Sequence, residues 1–458
     1  MNKIKDTIEK LFKIKERNST IAREIVAGII VFLAMLYILP VNTAILSSAN
    51  IPPGAVFAAT AISSGVATLI MGIFANYPIA LSTGMGINAF LAYTVCGTLG
   101  YSWQEGLALI LISGIIFFIL TLSGLRLKIV NAIPKDIKTA ISAGIGFFIA
   151  FVGLKSAGII SANKDTFVSL GNLGSPTVLL SLFGLILVFV LMVIPKLRKF
   201  AIIIAIFFTA LVGLILHYVG INDMPSFSNQ TNSNVSDISL TFGIAFSYLE
   251  TILTKVESYA VIFSLVFVNL FDTTATLLAV GKETGLLDEE GKLIKGQKTM
   301  LADATGAVFG GILGTSTITP FAESTIGVEN GARTGLSAVV TGLLFLLCLA
   351  IFPIFSIFSS VGDGLTPVTS MALVLVGALM FSHIKDINWN DQIATFSSFI
   401  IIILMILTYS ISDGIGIGII IYVFMMIAAA RAKEVSPLIY GIALFFIINF
   451  ILHYAVLL

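Results

Sequence analysis

Apolar runs long enough to cross ~30 Å of hydrocarbon begin at Ile25 and recur to the C-terminus, giving about fourteen segments. In lipid a backbone must satisfy its own hydrogen bonds, so a lone run of this length is read as a helix. Composition agrees: of 458 residues, 57% are hydrophobic and 11% charged, with a mean hydropathy of +1.06. That leaves too little polar surface for a protein facing water. The expected class is an all-α polytopic membrane protein.

A net charge of +1 with no basic stripe excludes nucleic acid as a partner. The basic residues are informative by position. Lys3, Lys5, Lys10, Lys13, Lys15, Arg17 and Arg23 precede the first span; Arg126, Lys128 and Lys135 follow the fourth, and Lys196, Arg198 and Lys199 the sixth. The connection 220–254 holds neither Lys nor Arg. The positive-inside rule then puts the N-terminus in the cytoplasm. Residues 25–46 are of spanning length and lack a small-residue cleavage site, so they read as a span, not a signal peptide. Cys96 and Cys348 stand alone in apolar segments, and the three histidines lie away from the deep acids, so neither metal nor cofactor is expected.

Two carboxylates interrupt this apolar background. Asp272 closes Val261-Ile-Phe-Ser-Leu-Val-Phe-Val-Asn-Leu-Phe-Asp, where a mid-bilayer acid costs ~2.5 to 3.5 kcal/mol on insertion scales. Glu323 follows Thr315-Ser-Thr-Ile-Thr-Pro-Phe-Ala in a second, broken apolar stretch. Buried acids of this kind face a bundle interior, a wet cavity or a substrate, and two of them point to transport. The plainer alternatives are pairing of Asp272 with a neighbouring helix, although no Lys or Arg is expected at comparable depth, and a helix-dipole role worth ~0.3 to 1 kcal/mol for Glu323. Asp303 reads as a helix-start residue, and Glu329 and Arg333 as pairing near a cytoplasmic helix end.

The chain reads as two similar halves. In the first, spans at 25–46 and 54–74 precede Tyr77-Pro-Ile-Ala-Leu-Ser-Thr-Gly-Met-Gly-Ile-Asn-Ala-Phe; in the second, the Asp272 span and residues 300–313 precede Gly314-Thr-Ser-Thr-Ile-Thr-Pro-Phe-Ala-Glu. Each interrupted element is expected to be a short extended stretch running into a short helix. Ser82 or Thr83 would cap the first helix, and Thr319 followed by Pro320 would start the second. The β-branched run at 315–319 cannot lie unpaired in hydrocarbon, so the two extended stretches should pair with each other. Interruptions at matching places in two halves mark a transporter's binding site near the midplane. Asn88 lies one turn into the first short helix, behind Gly84 and Gly86, which permit close backbone approach. Its amide can serve a ligand or a neighbouring helix.

The motifs Gly84-Met-Gly-Ile-Asn-Ala-Phe, Phe271-Asp-Thr-Thr-Ala-Thr-Leu, Ala302-Asp-Ala-Thr-Gly and Gly314-Thr-Ser-Thr-Ile-Thr-Pro-Phe-Ala-Glu-Ser-Thr-Ile-Gly-Val-Glu-Asn-Gly-Ala-Arg-Thr-Gly-Leu resemble the AzgA-like purine permeases, relatives of the uracil and xanthine permeases. The resemblance covers residues 23–430 and departs from the family pattern at Pro320, Phe321 and Ala322. It implies proton symport of adenine, guanine or hypoxanthine by an elevator-type movement, and a fold of two inverted seven-segment repeats. A core domain would comprise residues 25–123 and 256–358, and a gate domain residues 134–218 and 366–430. Around them lie a cytoplasmic N-terminus (1–24), an external loop with an amphipathic stretch (219–255) and a C-terminal apolar segment (431–458).

The purine would sit between the strand-helix elements, held by Asp272, Glu323, Asn88, Gly84, Gly86 and Thr317, with Asp272 and Glu323 as proton-coupling candidates. Expected partners are the nucleobase, protons, the bilayer and, as an open option, a second copy of the chain. Two rivals remain. An anion carrier of the same fold would need a cation or bare helix N-termini at the site, and a membrane-embedded enzyme would need a nucleophile and base, or a metal set.

Overall fold

The first expected span forms as two helices, α1 (Ile21–Met35) and α2 (Ile38–Ser47), in a computed structural model that describes residues 2–227, 233–283, 296–358, 361–362 and 364–457. Thr20 caps α1, its hydroxyl accepting from the Arg23 N–H. Pro40 sets the break. Proline has no N–H to give the Leu36 carbonyl, which accepts from Leu39 N at 3.3 Å instead, so the chain tightens at Leu36 and Tyr37 before resuming. α3 (Pro53–Ile70) starts on a proline, as a first helical turn tolerates.

The first interrupted segment follows as strand β1 (Leu81–Thr83) and the short helix α4 (Met85–Ala89). Next come α5 (Trp103–Leu122), opened by a Ser102–Glu105 capping box, and α6 (Lys135–Ser156). An exposed hairpin of β2 (Ile160–Asn163) and β3 (Phe167–Leu170), which the sequence reading missed, leads to α7 (Pro176–Val193) and α8 (Ala201–Tyr218). Lys164 lies in the hairpin turn, an exception to the charge asymmetry between the two ends of the bundle.

The second half repeats the order with α9 (Val256–Glu283), α10 (Gly296–Leu313), β4 (Ile318–Pro320), α11 (Ser324–Glu329), α12 (Gly335–Leu347), α13 (Ser370–Phe381), α14 (Gln392–Leu407) and α15 (Ile411–Ala428). The C-terminal segment is a further helix, α16 (Pro437–Leu457), packed on α15. Among the described residues, eight helical stretches are long and apolar enough to cross a membrane. Within the expected insertion at 282–298, residues 284–295 lie outside the described set.

Two packing groups emerge. α3 lies against α10 and α12, α1 against α12, and α5 against α9 and α10; α6 lies against α13 and α14, α14 against α15, and α7 against α8 and α13.

β1 and β4 pair antiparallel as expected, with Leu81 opposite Pro320, Ser82 opposite Thr319 and Thr83 opposite Ile318. A two-stranded ribbon in an apolar interior still has open edges. α3 closes one of them with hydroxyls. Thr68 Oγ1 accepts from Leu81 N at 2.9 Å and donates to Leu81 O at 3.0 Å, while Ser64 and Ser82 hydroxyls lie 2.7 Å apart.

Pairing also corrects the expected helix starts. Ser82 and Thr83 are strand residues, and α4 begins after Gly84 with no side-chain cap. Thr319 and Pro320 stay in β4 because the ladder runs on, Phe321 N donating to Ala80 O at 3.0 Å; α11 starts only at Ser324, with Glu323 as its N-cap residue. Gly314, at φ +97°, makes the turn into this stretch. A Cβ there would lie 2.2 Å from Thr241 Cβ.

Candidate functional site

The strand pairing extends beyond the ribbon and locks the two interrupted segments together. Gly84 N donates to Thr317 O at 3.1 Å, Ala80 N to Ser324 Oγ at 3.0 Å, and Ser316 Oγ to Asn88 Oδ1. Asn88 Nδ2 also donates to Thr83 Oγ1 at 3.3 Å, and the whole side chain is buried. Its amide therefore links the two elements. Gly86 serves packing: an added Cβ would meet Ile145 Cγ2 of α6 at 2.8 Å. Thr317 is 1% exposed, and its hydroxyl has no hydrogen-bond partner among the described residues.

Glu323 is half-buried at the start of α11. Tyr37, fully buried in the break between α1 and α2, donates its phenol hydrogen to Glu323 Oε1 at 2.5 Å. The sequence reading passed over Tyr37. The available signal was Pro40, three residues further on, which interrupts the span where the phenol is needed.

Asp272 falls on α9, but its side chain lies outside the described residues. Asn269 precedes it by three positions and so shares its helix face. It is 1% exposed, and neither atom of its amide has a partner among the described residues. α9 packs against α4, β4 and α11, three of the four elements of the junction. Asn42 adds a further polar tie, donating to Thr60 Oγ1 at 2.7 Å and Thr315 Oγ1 at 3.0 Å.

One expectation fails beside Asp272. A cation does lie deep in the bundle: Arg126 Nη1 is 2.8 Å from Asp303 Oδ2, with the two side chains 1% and 0% exposed. Arg126 Nη2 donates to Thr273 Oγ1 at 2.6 Å, and the guanidinium stacks 4.5 Å from the Phe117 ring centre. The arginine belongs to the short helix Leu125–Ala132 after α5, and its long side chain carries the charge inward. Asp303 accordingly lies inside α10, not at its start.

Glu329 and Arg333 do not pair with each other. Glu329 bridges to Lys199 at 2.8 Å, while Arg333 Nη1 donates to the Val328 and Ala332 carbonyls.

None of β1, α4, β4 or α11 carries Lys or Arg. Among the described residues, no cluster of three or more His, Cys, Asp or Glu could hold a metal. The junction offers a carboxylate held by a phenol, an unpaired amide and an unpaired hydroxyl. That is chemistry for an uncharged, hydrogen-bonding ligand.

Residues 22–417 match the model of Xan_ur_permease, described as a permease family. The guanine/hypoxanthine permease PbuG of Bacillus subtilis (strain 168) is 42% identical over 453 residues, covering 97% of this chain and 99% of the relative. The adenine permease AdeQ of Escherichia coli (strain K12) is 37% identical over 402 residues, covering 87% and 85%. Among solved structures, the transmembrane domain of a cyanobacterium bicarbonate transporter, BicA, aligns with a TM-score of 0.60 at 12% identity, covering 85% of this chain and 96% of that one. That likeness is one of fold. With a family match spanning most of its length and full-length relatives named permeases, the chain belongs to the Xan_ur_permease family of membrane permeases and is not an enzyme.

Proposed function

We propose that this chain imports purine nucleobases across the cytoplasmic membrane by proton symport, with its N-terminus in the cytoplasm. The observation that carries the reading is the junction itself. β1 and β4 join two interrupted segments from opposite halves, and around them lie Glu323, the unpaired Thr317 hydroxyl and the unpaired Asn269 amide, with no Lys or Arg on the paired elements. Buried polar atoms without partners are uncommon, and a purine's ring N–H, ring nitrogens and carbonyl would satisfy them. A carboxylate can accept a ring N–H in the plane of the base. The names of the full-length relatives support the same substrate class.

The segments at 25–123 and 256–358 form the core of two inverted repeats, and those at 134–218 and 366–430 the gate. Movement of core against gate carries the site across. The two packing groups, α1, α3, α5, α9, α10 and α12 against α6, α7, α8, α13, α14 and α15, support that division. Asp272 and Glu323 supply the proton site.

Uptake of labelled adenine, guanine, hypoxanthine, uracil and sulfate, by a host lacking its own permeases, tests the substrate class. Purine uptake that unlabelled purines compete and sulfate does not is the expected result. Sulfate uptake in place of purine uptake would favour the anion carriers that share the fold.

A further inference from the structure

Tyr37 is a fully buried phenol whose O–H donates to the site carboxylate, and its place depends on a built-in defect of the first span. α1 and α2 together make one apolar stretch of 27 residues that could have run as an unbroken helix. Pro40 breaks it. The break leaves Tyr37 between the two helices, fixed by the Val41 N–H donating to its carbonyl at 3.1 Å. α11 packs directly against α1, so the phenol and the carboxylate are held from opposite sides of one contact.

We infer that Tyr37 is a positioning residue for Glu323, one that orients the carboxylate toward the junction. The inference rests on the reading of Glu323 as part of the proton and purine site. A phenol donates more strongly to an ionised carboxylate than to a protonated one, so removing the donor weakens the hold on the charged side chain. Other charged groups lie on the helices packed against α11. On α1, the Glu24 carboxylate accepts from Arg333 N at 2.9 Å and Thr334 N at 3.3 Å, and Arg23 lies against Gly331. On α9 are Glu257 in the first turn, then Asp272, Lys282 and Glu283, whose side chains lie outside the described residues. Within α11, Glu329 is bridged to Lys199. Among the described side chains, Tyr37 is the one bonded to the Glu323 carboxylate.

The test is the pH profile of labelled guanine uptake for wild type, Tyr37→Phe and Glu323→Gln at matched membrane expression. Tyr37→Phe keeps the ring and removes the donor. The pH at which uptake falls to half its maximum should rise by about one unit, the scale set by one hydrogen bond to a charged group. Should Tyr37→Phe fail to fold, a ring-fluorinated tyrosine placed at this position keeps the shape and strengthens the donor, and the half-maximum should move to lower pH. An unchanged profile in the folded variant, while Glu323→Gln is inactive, overturns the inference and leaves the site reading intact. Wild-type uptake by Glu323→Gln overturns both.

Discussion

Breaking the buried Arg126–Asp303 pair from either side alone should destabilise the protein more than replacing both partners at once. Arg126→Met removes the ion pair at 2.8 Å, the hydrogen bond to Thr273 at 2.6 Å and the stacking on Phe117, and it strands a fully buried carboxylate. Loss of one partner of a buried pair costs ~3 to 5 kcal/mol, chiefly through the uncompensated charge left behind. Asp303→Asn strands a buried guanidinium that keeps its charge, so its cost should fall in the same range although the bond to Thr273 and the contact with Phe117 remain. The double variant Arg126→Met with Asp303→Asn buries no unpaired charge and should be less destabilised than Arg126→Met alone. Thermal unfolding of the detergent-solubilised proteins gives the ranking: wild type highest, then the double variant, with the two single variants lowest. Purely additive losses in the double variant, or single variants that melt with the wild type, would refute the assignment of this pair as a mutually dependent structural unit.

Further outcomes follow from the junction. Thr68→Val keeps the side-chain shape but leaves the Leu81 N–H and carbonyl without their hydroxyl, so ~1 to 3 kcal/mol should be lost in unfolding measurements, and a neutral result would mean that the ribbon edge is closed some other way. Cysteines at Gly84 and Thr317, whose backbones are bonded at 3.1 Å, should cross-link within one molecule, and saturating guanine should change the rate; no cross-link under oxidising conditions counts against the pairing. Asp272→Asn and Glu323→Gln should each abolish purine accumulation at near-normal membrane expression, and wild-type rates in both would remove the acids from the site.

Much of the architecture could be read from the chain because bilayer physics leaves few choices. Runs of spanning length have to be helices, and a β-branched stretch in hydrocarbon has to find a strand partner, so the pairing of β1 with β4 is legible in the sequence. The helix starts were less legible. Thr319-Pro320 is a good start signal, but one ladder step from Phe321 N to Ala80 O holds it in the strand. Local propensity yields there to a contact with a residue far away in sequence.

Long-range polar contacts were hidden for the same reason. Arg126 looked like one more basic residue at a helix end, and only the fold reveals that its side chain turns inward to Asp303. Two signals were present and unread. Thr60, Ser64 and Thr68 recur every four residues on α3 and mark a hydroxyl face, and Pro40 marks the break that holds Tyr37.

The junction of the two interrupted segments is proposed to bind a purine and a proton together. Purified protein in liposomes, with the outside made more acidic than the inside, measures this directly. Labelled guanine, hypoxanthine or adenine should accumulate above its external concentration, a protonophore should abolish the accumulation, and Glu323→Gln should show none. Accumulation that follows a sodium gradient and ignores the protonophore, or simple equilibration without accumulation, would rule out proton-coupled purine binding at this junction.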